Sequence, residues 1–103
     1  MRVDNQSSIT NTQAGGAVVV AVSKRAYNHQ FNFEVSATPT TGTVTISGKG
    51  INSSTYSDIG TVDLTSTALV KLTYGVYQSF KFTPTSLDAD KNFSVHITSW
   101  EDF

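Results

Sequence analysis

Two histidines, His29 and His96, together with thirteen serines and six aspartates, are the groups that could support nucleophilic or acid–base chemistry. A Ser-His-Asp relay needs the base within hydrogen-bond reach of the nucleophile and oriented by a carboxylate. With serine this abundant, such triples can be assembled on paper from chance alone. No Gly-x-Ser-x-Gly elbow is present, and His96 falls at an outward position of a strand, so the residues point to a protein that is not an enzyme. Asp88-Ala89-Asp90-Lys91-Asn92 has the D-x-D-x-N spacing that opens a calcium loop. Phe93 then stands where that loop needs glycine, and Ser99 where it needs a bidentate glutamate. The aspartates read instead as turn residues that bond nearby backbone. Gly48-Lys49-Gly50 is too short for a phosphate loop and opens no helix. The glycosylation patterns at Asn5, Asn52 and Asn92 are what a Ser/Thr-rich chain yields by chance. The chain has no cysteine, which excludes disulfides, zinc ribbons and thiol nucleophiles. No metal and no cofactor is expected.

What these side chains can do is adhere. If Phe93, Val95 and Ile97 face a core, strand parity places His96, Thr98 and Trp100 on the opposite face, with Phe103 close by. The same parity puts Tyr77 outward beside Ser79 and Lys81, and Tyr74 sits at the turn just before. Aromatic side chains on a half-polar sheet are typical interface anchors. In the first sixteen residues only Val3 and Ile9 are large and apolar. Val3, Ile9, Tyr74, Tyr77, Trp100 and Phe103 are therefore the expected protein-interface residues. Trp100 and Phe103 have an alternative use, folding back to cap the open end of the domain.

The elements that would position them are strands. Ser and Thr make up 28 of 103 residues, and 31 are Val, Ile or Thr, whose branched side chains suit a pleated, half-buried surface. No window carries apolar residues at a helical period, whereas alternation recurs. Seven strands are expected, within residues 17–23, 30–36, 43–47, 55–64, 68–73, 77–83 and 92–99. The first, nearly all apolar, should be covered on both faces. In the others Val44, Ile46, Val70, Leu72, Phe80 and Phe82 should point inward, Lys81 outward, and Gly60 should mark a bulge or tight turn. Turn signals between short strands predict an all-β, antiparallel sandwich, Ig-like or jelly-roll-like, over residues 17–103. Residues 1–16, rich in Asn, Gln, Ser and Thr, form an N-terminal arm, either loosely docked or adding a strand to a neighbouring subunit.

Charge limits the partners. A net charge of −1 with 15% charged residues lacks the basic surplus that nucleic-acid binding needs. No apolar run approaches a membrane span and no signal-like apolar stretch opens the chain, so neither a membrane nor export is expected. Near-neutral Ser/Thr faces suit packing into a larger assembly, since hydroxyls desolvate at less cost than charges.

Residues Thr41-Gly42-Thr43-Val44-Thr45-Ile46-Ser47-Gly48 and Tyr56-Ser57-Asp58-Ile59-Gly60-Thr61-Val62-Asp63-Leu64 form a G-x-V-x-I-x-G strand, a loop, and an aromatic-x-x-I strand. Together with Tyr77-Gln78-Ser79-Phe80-Lys81-Phe82-Thr83-Pro84 and the strand closing at Trp100, this resembles small virion accessory proteins of tailed phages over residues 30–100. The chain departs from that pattern in having Tyr56 as its nearest substitute for a usual aromatic. The resemblance implies a capsid decoration or cement subunit, or a head–tail component: a homo-oligomer, located in the virion, that binds major capsid or other virion proteins without cofactor or catalysis. The alternative is a carbohydrate- or receptor-binding module of a fibre or extracellular protein, using Trp100, Tyr74 or Tyr77 to stack on sugars. An enzyme inhibitor or Ig-like adhesion domain is a third option, disfavoured by the missing export signal.

Overall fold

The computed structural model of the chain describes residues 3–12, 16–23 and 25–101. Among them lie eight strands: β1 (Val3–Thr12), β2 (Val18–Ala21), β3 (Asn28–Val35), β4 (Thr43–Gly50), β5 (Ser57–Asp63), β6 (Val70–Tyr74), β7 (Tyr77–Thr85) and β8 (Asn92–Trp100). They form two four-stranded antiparallel sheets, ordered β1-β8-β3-β6 and β2-β7-β4-β5. First pairs with last, second with seventh, third with sixth and fourth with fifth, as in one long hairpin rolled into two layers. That is the jelly-roll order rather than the Ig-like one.

The layers meet on aromatic rings. Phe31 and Phe33 of β3 face Phe80 and Phe82 of β7 edge to face, with centroids 4.9 Å apart for Phe31–Phe80, 5.5 Å for Phe31–Phe82 and 6.0 Å for Phe33–Phe82. This tilted geometry sets ring edges against the negative faces of their neighbours. Val44, Ile46, Val62, Leu64, Phe93, Val95 and Ile97 complete the core. Each of these fully buried side chains contributes about 1.5–3 kcal/mol by its removal from water. Phe31 and Phe33, Val44 and Ile46, Phe80 and Phe82, and Phe93, Val95 and Ile97 face inward as expected.

Four expectations need correction. There are eight strands, because the polar N-terminal segment supplies one: β1 pairs with β8 from Val3↔Trp100 to Thr12↔Asn92. Instead of hanging loose or crossing to another subunit, it adds an edge to its own sheet, with Ile9 packed against the core and Ser8 and Thr10 exposed. Second, β2 is not covered on both faces: it is an edge strand, and Val19 is 56% exposed. Third, β6 has its parity reversed. Val70 and Leu72 face solvent while Thr73 is buried. Fourth, Tyr77 points inward, packing on Phe80 with centroids 4.8 Å apart. Its flip comes from a bulge: Lys49 opposes Ser79 but Gly50 opposes Tyr77, leaving Gln78 as an extra residue. Lys81 does lie outward, but half-buried, with its ammonium 4.8 Å from the centroid of the Tyr56 ring.

The expected irregularity near Gly60 is a bulge, with Ile46 opposite Gly60 and Ser47 opposite Asp58. Asp88 supplies turn chemistry, accepting hydrogen bonds from the Thr40 N–H at 2.8 Å and the Thr41 N–H at 3.3 Å. Those bonds hold its carboxyl below the usual carboxylate range.

Candidate binding face

Directly paired residues on antiparallel strands share a face, so register alone lays out the outer surface of the β1-β8-β3-β6 sheet. Trp100, Asn28 and Tyr74 form one row; Thr98, Gln30 and Leu72 the next; His96, Asn32 and Val70 a third. Tyr74 is 58%, Leu72 51% and Val70 57% exposed, so β6 carries a stripe of large apolar side chains on its solvent face. Exposed Tyr27 lies against Tyr74, ring centroids 6.5 Å apart, and exposed Val76 follows in the turn. Backbone ties hold this corner: Tyr27 N–H donates to the Trp100 carbonyl at 3.1 Å, and Gly75 N–H to the Tyr27 carbonyl at 2.8 Å. Gly75 can close the turn there because it takes φ 126°, a conformation side chains disfavour.

Beneath the corner is His29, fully buried. Its Nε2–H donates to the Gly75 carbonyl at 2.9 Å, which leaves Nδ1 to accept from the Ser99 hydroxyl at 2.8 Å. Burial pushes its pKa down, opposed in part by the Gly75 carbonyl. The ring also packs edge-on against Phe80, centroids 4.8 Å apart. His29 thus works as a satisfied polar strut joining β3, β8 and the β6–β7 turn. The strand ranges read from the sequence leave His29 in the linker between the first two strands. Its place in the alternation with Phe31, Phe33 and Val35 is the signal that marks it as inward.

At the other end of the face, the Ser8 hydroxyl is 2.7 Å from His96 Nδ1, and His96 Nε2 is 2.9 Å from Glu34. The order of groups is that of a nucleophile, a base and an orienting carboxylate. Ser8 and His96 border an open depression of about 310 Å³ with Ser7, Ile97 and Thr98, and Glu34 of β3 completes the line of groups. The Glu34 side chain is 71% exposed, so the pair works in high dielectric, where electrostatic preorganisation is weak. What the arrangement does is tie three strands together at the surface.

The opposite outer face differs in kind. Lys49 and Lys81 both approach the Tyr56 ring, at 5.3 and 4.8 Å, while the Tyr56 hydroxyl meets Ser79 at 2.8 Å. Ser47 donates to Asp58 at 2.9 Å. These polar groups are matched among themselves.

Of the six expected interface residues, Tyr74 and Trp100 come together on one face, flanking Asn28. Trp100 is half-buried there. Ile9 packs on the core and Tyr77 lies inside. Val3 is placed opposite Trp100 by register, its side chain outside what the structure describes, and Phe103 lies outside the described residues. Tyr27, Val70, Leu72 and Val76 were not anticipated at the surface.

No protein-family profile matches the sequence, and no curated protein is similar to it. Solved structures share the fold. The Yersinia pseudotuberculosis-derived mitogen matches with a TM-score of 0.62 at 12% identity, over 97% of this chain and 89% of that one. A family 29 carbohydrate-binding module, solved with cellulohexaose, matches with 0.54 at 14% identity, over 91% and 70%. A pilus protein of Bacillus endospore appendages matches with 0.50 at 17%, over 95% and 87%. At these identities the likeness is one of fold: an antiparallel β-sandwich.

Proposed function

We propose that this protein is a non-catalytic subunit of a larger protein assembly, docking through the outer face of the β1-β8-β3-β6 sheet. The assembly is a virion shell and the neighbour its major capsid protein. One observation carries the docking reading: the uncharged stripe of Val70, Leu72 and Tyr74, each more than half exposed on a single edge strand. Contiguous exposed apolar side chains mark interaction surfaces, whereas isolated ones need no explanation. The jelly roll is compatible with this use and does not dictate it; the virion setting rests on the sequence resemblance.

The test is cosedimentation with empty shells assembled from a tailed-phage major capsid protein. Wild-type protein is expected to pellet with shells and Leu72→Lys to stay in the supernatant. Failure of the wild type to pellet overturns the reading.

A specific feature favours a second reading, a carbohydrate-binding module. Tyr27, Tyr74 and Trp100 lie beside the half-buried amides of Gln30 and Asn32, a combination that can stack on sugar rings and bond their hydroxyls. A glycan array separates the two: hits abolished by Tyr74→Ala would favour the sugar, and an array without hits removes it.

A further inference from the structure

We infer that β6 is an intermolecular edge: two copies of this chain pair β6 with β6, antiparallel about a two-fold axis at Leu72, fusing their outer sheets into one of eight strands. The inference rests on the docking reading above and names the first neighbour as a second copy.

The phase of the hydrogen bonds comes first. Gly75 N–H donates to Tyr27 O, and Phe33 N–H to Leu69 O. These bonds make Tyr27/Gly75 and Phe33/Leu69 hydrogen-bonded pairs, and alternation extends the same phase to His29/Thr73 and Phe31/Lys71. Val70, Leu72 and Tyr74 therefore turn their N–H and C=O groups away from β3. Among the described residues no strand pairs with that side of β6. The β6 residues whose apolar side chains are more than half exposed are thus also those with open backbone groups.

β6 is itself short and carries one inward-facing lysine, and the remaining edges carry further guards. The edge strand β5 has Asp58, Asp63 and a bulge. Edge strand β1 is dominated by Ser, Thr and Asn and is irregular after Val3. Edge strand β2 has four residues. Charges, bulges and shortness are the usual means of blunting an edge. The only charge on β6, Lys71, lies on the inner side, its Cε 3.1 Å from where a Cβ on Gly60 would stand, which leaves the outer row apolar.

The residue order of β6 is self-complementary, which selects a second copy. Centred on Leu72, the pairing sets Leu72 against Leu72, Val70 against Tyr74 and Lys71 against Thr73. All five residues pair, aromatic meets β-branched, and no like charges face each other. Shifting the axis to Lys71 would oppose two lysines. A net charge of −1 per chain adds little repulsion. The interface is isologous and closes on itself. Five paired residues a side make it small, so it dissociates on dilution.

The chain's lack of cysteine makes the test clean. Residues directly opposed in a hydrogen-bonded pair have Cα atoms about 5.5 Å apart, within disulfide range. Leu72→Cys is expected to crosslink to a dimer under mild oxidation about tenfold or more faster than Val19→Cys, an equally exposed control on β2. Leu72→Lys and Leu72→Glu should each sediment as monomers at concentrations where the wild type dimerises, and their equimolar mixture should recover the dimer. Equal crosslinking of the two cysteine variants, a monomeric wild type at high concentration, or no recovery on mixing overturns the pairing. Shell binding by a wild type that fails these tests leaves docking intact. Crosslinking without shell binding removes docking and keeps the pair.

Discussion

β8 and β6 flank the same strand, β3, and both are antiparallel to it, yet they treat their apolar side chains in opposite ways. β8 is paired on both edges and buries Phe93, Val95 and Ile97 to 1% exposure or less. β6 is paired on one edge, buries Thr73, and turns Val70 and Leu72 out. The core beneath β8 is continuous across the sandwich. β6 lies at the edge of its sheet, where Lys71 spans toward Gly60 of β5. An apolar side chain on β8 therefore serves folding, while one on β6 is available for association.

Substitutions test this division directly. Phe93→Ala leaves a cavity in the interior and should cost about 3–5 kcal/mol, read as a lowered urea midpoint. Leu72→Ala should change monomer stability by no more than about 0.5 kcal/mol at concentrations where the protein is dilute. A large loss for Leu72→Ala would mean that β6 packs inward after all, and the contrast with β8 would collapse.

Gly48 extends the contrast to the central strand β4 of the other sheet. A Cβ there would stand 2.5 Å from Cε1 of Tyr77 and 2.9 Å from Cδ1 of Ile59. A ring held by His29 and Phe80 has little room to yield. Gly48→Ala should therefore cost about 1–3 kcal/mol by overpacking, whereas Gly50→Ala, with open space around it, should not. Equal effects at the two glycines would show that Tyr77 is not fixed inside.

His29 joins the two regions, tying β3 and β8 to the turn after β6. Burial sets its folded-state pKa below the ordinary 6.5, so the unfolded chain takes up the proton first. The stability linked to neutral His29 is thus complete above about pH 6.5 and declines as pH falls from there through the folded value. The slope is at most about 1.4 kcal/mol per pH unit for one proton. Chemical denaturation between neutral and mildly acid pH should show a shallower decline for His29→Gln than for the wild type. Identical slopes would remove His29 as the acid-sensitive joint.

Much of this layout is legible in the sequence. Phe31/Phe33, Val44/Ile46, Phe80/Phe82 and Phe93/Val95/Ile97 alternate with polar residues, and burial of one member of each set fixes the rest. Alternation says which residues share a face, and only neighbours say which face is inside. Val70 and Leu72 alternate as cleanly as Val95 and Ile97 but sit at a rim, which no local pattern reveals. A single inserted residue at Gln78 reverses Tyr77, and β1 reads as an arm because Ser7, in phase with Ile9, is polar. The candidate face was legible only in Tyr74 and Trp100. Tyr27, Leu72 and Val70 join them through pairings across the chain, such as Gln30 with both Leu72 and Thr98.

The smallest effect concerns the outer face of β8 itself, and it decides whether strand or face governs the contrast. His96 lies on the most deeply paired strand, between Ser8 of β1 and Asn32 of β3 in register, with its ring bonded to Ser8 and Glu34. If position within the sheet were sufficient, removing the Glu34 carboxylate would be costly. The side chains are 42% and 71% exposed, however, so water competes for both and salt screens their attraction. An exposed pair of this kind contributes about 0–1 kcal/mol. Glu34→Gln should shift the denaturation midpoint barely, and less in high salt than in low. A loss comparable to Phe93→Ala would mean that the outer face of this sheet is part of the folding core rather than a surface kept for partners.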